Sequence, residues 1–330
     1  MRLFSDDSWW NQPIPDDPFV YEESQVWLQK LQAFQNHGMH MNLHEWTIPV
    51  YFVDESVPRV SIQKRFELEP DVFRFMQWAK GDHPSGHGPG ISEGVPIPEG
   101  AVHDHQEDAH LCIIHKETGQ AWDMWAARQL EDGSWCSCSA CTYDSRGSGL
   151  LDSPAYRPVL GESIHLYGPS RAAGVPIPAG LIFRHEIEAG EIHHKLAFAG
   201  EYVGYQKHVF PPAIWTDGWF RDGFPEGSVI QLDPNLDLDL FGLTEPAKVV
   251  ARALQVYGAA VVDYGTGATV YAEYNTEESW ADLLVESSLH SIPFTHYRFL
   301  RLGEERVGGD DPSYHVAFGE KFQEQEKNSP

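Results

Sequence analysis

Two carboxylates, an imidazole and an indole recur at alternate positions along one segment, EDAHLCIIHKETGQAWDMWAARQLEDGSWCSCSACTYD. Turn-forming residues at Lys116–Gly119 and Glu131–Gly133 divide it into a three-strand meander. If His115 faces Gln120 across the first turn, His110 lies opposite Trp125, Cys112 opposite Asp123 and Asp108 opposite Ala127. Alternation then puts Asp108, His110, Asp123 and Trp125 on one face. Neighbouring groups whose pKa values are driven apart do general acid–base chemistry, and an indole plate stacks on a sugar ring. The same pattern also describes the solvated face of an amphipathic sheet, and a one-residue slip scatters the set.

Other residue types with chemical potential lie downstream. In GEIHHKLAF, His193 and His194 point to opposite faces of a strand, so at most one of them, taken as His194, enters a site. Arg171 sits in the Gly/Pro-shaped loop GPSRAAGVPIPAG, where a guanidinium can neutralise a uronate carboxylate or brace the loop. YGAAVVDYGTG carries Tyr257 at a helix end and Asp263 at the far edge of a buried strand, as a catalytic acid or as the first residue of a turn. HDHQEDAH offers His103, His105 and His110 to a divalent metal in the cupin manner, although the usual downstream Glu is missing. CSCSAC has thiolate spacing, yet Cys136 and Cys138 share a strand face that Cys141 does not. DPNLDLD resembles a calcium loop but has Leu238 where the obligatory Gly belongs. No nucleophile elbow, Walker loop or Rossmann fingerprint occurs.

The elements that must position these groups are mostly strands. Runs rich in Val, Ile, Thr and aromatics predict strands at Thr47–Val53, Val57–Leu68, His110–His115, Gln120–Leu130, Ser134–Tyr143, Ile192–Tyr205, Val229–Leu232, Ala259–Asp263 and Thr269–Tyr274. Helical periodicity appears at Glu22–Gln35, with Trp27, Leu28, Leu31 and Phe34 on one face, and more weakly at Asp71–Lys80. Thr244 followed by Glu245 and Pro246 opens a helix that ends at Gly258, and Thr276 opens another over Glu277–Leu289. Many strands and few helices, without βαβ alternation, predict a mainly β chain: an antiparallel sandwich or jelly roll with a few peripheral helices. Gly and Pro are scattered, so residues 1–318 read as one catalytic or binding domain and 319–330 as a mobile tail, with Tyr314, Val316 and Phe318 as a terminal anchor.

Composition narrows the function classes. Of 330 residues, 42% are hydrophobic and 12% aromatic, which excludes disorder for most of the chain. Lys plus Arg number 23 against 49 Asp plus Glu, a net charge of −26, so nucleic acid and anionic lipid are repelled. No apolar run suits a bilayer, and the first residues lack the apolar core of a signal peptide; the chain reads as cytoplasmic as written, or exported with a signal removed. Four cysteines do not make a secreted disulfide framework.

The ordered set SWWNQPIP, D-A-H at 108–110, AWDMW, AAGVPIPAGLI, GEIHHKLAF and YGAAVVDYG resembles a largely uncharacterised group of bacterial and fungal proteins, mostly exported and β-rich. The resemblance covers roughly Ser8 to Asp263 and implies a shared site at Asp108, His110, Asp123, His194 and Asp263. Lys195 and Tyr264 depart from the group's usual Ala and Asn. Its exported character implies an extracellular polymer as substrate. Three readings follow: a carbohydrate-active enzyme, hydrolysing a glycan with Asp108 and Asp123 in preference to β-elimination by His110 or His194; a noncatalytic carbohydrate-binding protein; or a metal-dependent enzyme at His103, His105 and His110. In the first, Trp125, Arg171 and Tyr257 bind substrate, with Trp9, Trp10 or Trp122 as further sugar plates, and no cofactor is required.

Overall fold

The computed structural model describes residues 2–64, 87–88, 90–151, 170–204, 208–214, 216–218, 220–274 and 280–307. The helix expected at Asp71–Lys80, the end of the Val57–Leu68 strand, the Tyr314 anchor and the tail lie outside these residues. Strands are numbered in chain order. One sheet holds, edge to edge, β1 (Phe19–Val20), β15 (Tyr297–Arg301), β12 (Val229–Leu232), β13 (Ala259–Tyr264), β10 (Leu196–Gly200), β14 (Ala268–Tyr271) and β2 (His40–Asn42). A second holds β3 (Val50–Val53), β5 (Leu111–His115), β6 (Gln120–Trp125) and β9 (Ser139–Asp144). A small third sheet contains β4 (Ile62–Lys64), β8 (Trp135–Ser137) and β7 (Arg128–Gln129), and β11 (His208–Val209) pairs with β16 (Arg306–Val307). The chain is β-rich, as expected, with three α-helices among the described residues: α1 (Ser24–Phe34), α2 (Arg184–Ala189) and α3 (Glu245–Val256). Antiparallel pairs predominate, with β10–β13, β14–β2, β3–β5 and β4–β8 parallel.

Strand alternation sorts the apolar side chains into layers. Leu196, Phe198, Val261 and Val270 leave the seven-stranded sheet on one side and meet Trp27, Leu28 and Leu31 of α1 and Val250 and Leu254 of α3. Thr244 caps α3, its Oγ1 accepting from Ala247 N at 3.3 Å, as the Thr-Glu-Pro signal predicts. Ala197, Ala199, Ala260 and Val262 point the other way, toward Cys112, Ala121 and Cys141 of the four-stranded sheet. Between the two sheets runs the segment 170–183. It receives a hydrogen bond from Ala197 N at Gly180 O (2.8 Å) on one side, while Ile177 N donates to Asp123 (2.8 Å) on the other. Gly180 is required there, because a Cβ would lie 2.4 Å from Ala197 N. The far face of the four-stranded sheet, Leu111, Ile113, Trp122 and Met124, packs on Ile62 and Trp135 of the small sheet.

Three expectations change. The Gln120–Leu130 run divides into β6 and β7 where Ala126 turns to φ +53°, and Ser134–Tyr143 divides at Cys138 into β8 and β9, so both strands turn a corner between sheets. The described part of Glu277–Leu289 is a short 3₁₀ turn, Trp280–Asp282, followed by turns; Ser288 Oγ accepts from Val285 N (2.9 Å), a local bond that competes with helix. Phe34, expected on the buried face of α1, is 41% exposed.

Candidate functional site

At one end of the two main sheets the structure encloses a cavity of about 720 Å³. Asp108 and His110 reach its wall from the residues leading into β5, Asp263 from the end of β13, and Tyr271 from the end of β14. The meander has the predicted register, with Cys112 opposite Asp123 and Leu111 opposite Met124. Ala109, between the two site residues, is held at φ +42°, and the carbonyl oxygens of Asp108 and Ala109 accept from Ala126 N (2.8 Å) and Ala127 N (3.0 Å). Backbone outliers of this kind need strong local support and cluster where side chains must be aimed.

Each predicted side chain has a definite place. Trp125 donates from Nε1 to Asp108 Oδ1 at 3.0 Å, standing behind the carboxylate rather than as a plate on the cavity wall. Asp123 leaves its strand on the same face as Cys112 but is fully buried between the sheets, away from the cavity. There it accepts from Tyr143 Oη (3.0 Å), Ile177 N (2.8 Å) and Ser170 Oγ, so its carboxyl pins segment 170–183. Arg171 in that segment is 1% exposed, donates to Ile177 O (2.9 Å), stacks its guanidinium over the Tyr271 ring (4.4 Å) and stands 3.6 Å from Asp263 Oδ2. Arg171 therefore supports Asp263 and Tyr271 from beneath the cavity floor. His194 and Tyr257 precede β10 and β13, which run parallel, so they lie at the opposite end of these strands from Asp263, roughly 20 Å along the sheet. His194 bonds Glu186 (3.1 Å) and Lys195 O (2.8 Å).

Of the other predicted sugar plates, Trp10 and Trp122 are buried in the core, and Trp9 packs edge-on against Trp10 beneath the Lys195 ammonium. His103 turns to Asp104 O and His105 to Tyr274 Oη (3.0 Å), their ring centroids 6.4 Å apart. All four cysteines are free and buried. Among the described residues no group of three or more His, Cys, Asp or Glu side chains is placed to hold a metal ion.

Two carboxyl groups that the sequence does not single out complete the arrangement. Asp217 accepts from Tyr264 N (3.0 Å), and Glu226 is fully buried with neither oxygen receiving a hydrogen bond from a donor group. Burial raises Glu226 well above the ordinary carboxylate range, and Asp217 and Asp263 push the same way against Arg171. Burial likewise raises Asp263, reinforced by Asp217 and Asp108 and opposed by Arg171. One guanidinium cannot balance Asp217, Glu226 and Asp263 together, so protons stay in the cluster. Asp263 keeps 17% of its side chain exposed, which leaves its carboxyl reachable. His110 is pushed down to about 4 by burial, with Arg171 adding to the effect and Asp108 opposing it, so the ring is neutral near pH 7. Its Nδ1 is buried without a partner.

No protein-family model, curated protein or solved structure matches this chain. The roles of these residues accordingly rest on their geometry.

A raised carboxyl holds its proton in the folded chain at pH values where the unfolded chain has lost it, so stability falls as pH climbs from the ordinary carboxylate range, about 4, upward. Glu226→Gln removes that liability and offers amide donors to Asp217. Its melting temperature is expected to exceed that of the parent by roughly 3 °C or more near pH 8, with the gap closing as pH is lowered toward about 4. Calorimetry across this range checks it; a gap independent of pH would show that Glu226 does not titrate.

Proposed function

We propose that this protein hydrolyses the glycosidic bond of an uncharged oligosaccharide or polysaccharide in the cavity at the sheet ends. The observation that supports the reading is a pair of carboxyl groups lining one cavity, Asp108 from the turn before β5 and Asp263 from the end of β13, set in different surroundings. Asp263, kept protonated by burial and its acidic neighbours, is the general acid that protonates the leaving oxygen. Asp108, oriented by the Trp125 indole, is the nucleophile or the base that activates water. Asp263 replaces Asp123 as the partner of Asp108, because Asp123 is committed to the interlayer segment. His110, neutral and largely buried, contributes its ring to the wall beside Asp108.

Hydrolysis is favoured over β-elimination by the sign of the wall. Asp104, Glu107, Asp108 and Asp263 line the cavity, and no Lys or Arg is among its described lining residues. A uronate entering would meet Asp104, Glu107 and Asp108 without a surface cation among the described lining residues, whereas elimination needs its carboxylate neutralised. Incubation with a panel of neutral and uronic glycans, followed by both reducing-end and unsaturated-product absorbance measurements, tests this. New reducing ends from a neutral glycan without unsaturation are expected; unsaturated product would assign a lyase, and binding without any turnover a recognition protein.

A further inference from the structure

We infer that Trp46 is the sugar-stacking platform of the cavity mouth, holding a ring of a neutral oligosaccharide next to the acid group; this rests on the hydrolytic reading only for the identity of that group. Trp46 lines the cavity and is 39% exposed at the end of a short exposed stretch, residues 44–46, whose two flanks are anchored by buried Leu43 on one side and buried Thr47 and Ile48 on the other. Its backbone sits at φ +56°, a region that bulky side chains rarely adopt, and Gln106 Oε1 accepts from its N–H at 3.4 Å. A large apolar side chain held outward in an unfavourable backbone conformation gains nothing for the core, and such outliers mark ligand clamps. The half-exposed Phe34 at the end of α1 and Tyr264 after Asp263 supply further aromatic surface on the same cavity. Aromatic faces above an acidic floor suit a ligand with apolar C–H faces, many hydroxyls and no negative charge. A neutral sugar chain has that chemistry. The cavity has room for more than one ring.

Calorimetric titration of the full chain with cellohexaose, xylohexaose and laminarihexaose, and with hexagalacturonate as the anionic probe, tests the inference. At least one neutral probe is expected to bind, more tightly than hexagalacturonate. Trp46→Ala weakens that binding at least tenfold, and Trp46→Tyr restores most of it. Trp46→Asn loses binding as Trp46→Ala does, while its melting temperature equals or exceeds that of the parent, because Asn adopts the left-handed conformation readily. In kinetics the loss falls on KM rather than kcat. Equal affinity of Trp46→Ala and the parent, preference for hexagalacturonate, or no binding of any neutral probe overturns the inference. Trp46-dependent binding without turnover keeps the platform and removes the hydrolytic reading; turnover with an unchanged KM in Trp46→Ala removes the platform and keeps the hydrolytic reading.

Discussion

Asp263→Asn is expected to lower turnover of the neutral glycan by on the order of 10³-fold while leaving the fold intact. The amide matches the carboxyl in shape and keeps an acceptor for Tyr271 Oη, now 3.4 Å from Oδ2, but has no proton to deliver. Because Asp263 stands against Arg171 and the Tyr271 ring, replacing it with Ala would confound chemistry with repacking, and Asn avoids this. Asp108→Asn loses turnover to a similar extent, and the double variant loses little more than either single one, since the two groups serve one bond cleavage. Substrates with activated leaving groups, such as aryl glycosides, recover much of the loss in Asp263→Asn and none in Asp108→Asn, because only the former step requires an acid. Steady-state rates on both substrate types, with circular dichroism as the control for folding, decide the matter. Equal loss on both in Asp263→Asn would take the acid role from it.

Asp123→Ala is expected to cost stability rather than chemistry, by roughly 3–5 kcal/mol. Tyr143 Oη, Ser170 Oγ and Ile177 N all converge on this one buried carboxyl; its removal takes the acceptor from Tyr143 Oη and Ser170 Oγ where water does not reach, while Ile177 N keeps Ser170 Oγ at 3.0 Å. An unpaired buried donor costs about 1–3 kcal/mol, which gives the magnitude. Asp123→Asn costs less, since one amide oxygen still accepts. Urea denaturation of the three proteins gives the free energies directly. If Asp123→Asn retained full stability and bound glycan yet had no turnover, the carboxyl would have a chemical role after all.

The meander's register was legible because it needs only a turn and an alternating pattern, and both lie within a few residues of Gln120. The facing of Asp123 was legible too, but not what covers it. Segment 170–183 reaches it from nearly fifty residues away, and no local pattern at Asp123 distinguishes a cavity wall from an interlayer contact. His194 and Asp263 looked like partners in the chain, and only the parallel pairing of β10 with β13 shows that they occupy opposite strand ends. Asp217 and Glu226 gave no signal: in a chain with 49 acidic residues, an Asp before Gly and a Glu before Gly read as turns. Trp46 escaped notice for a related reason, because it lies outside every periodic run that marks an element, and its backbone conformation leaves no trace in composition.

Asp108 lies in the turn leading into β5 of one sheet and Asp263 near the end of β13 in the other, and the layer between these sheets around segment 170–183 includes many small side chains: Ala173 and Ala179 within it, Ala197, Ala199 and Ala260 above, Cys112, Ala121 and Cys141 below. This layer is a spacer between the two sheets. Close carboxyl pairs allow direct attack on the sugar and wider ones admit a water between them, so in the proposed hydrolysis the stereochemical course depends on the bulk of buried residues packed behind the acids, and a methylene added to Ala260 acts on both acids from within that layer.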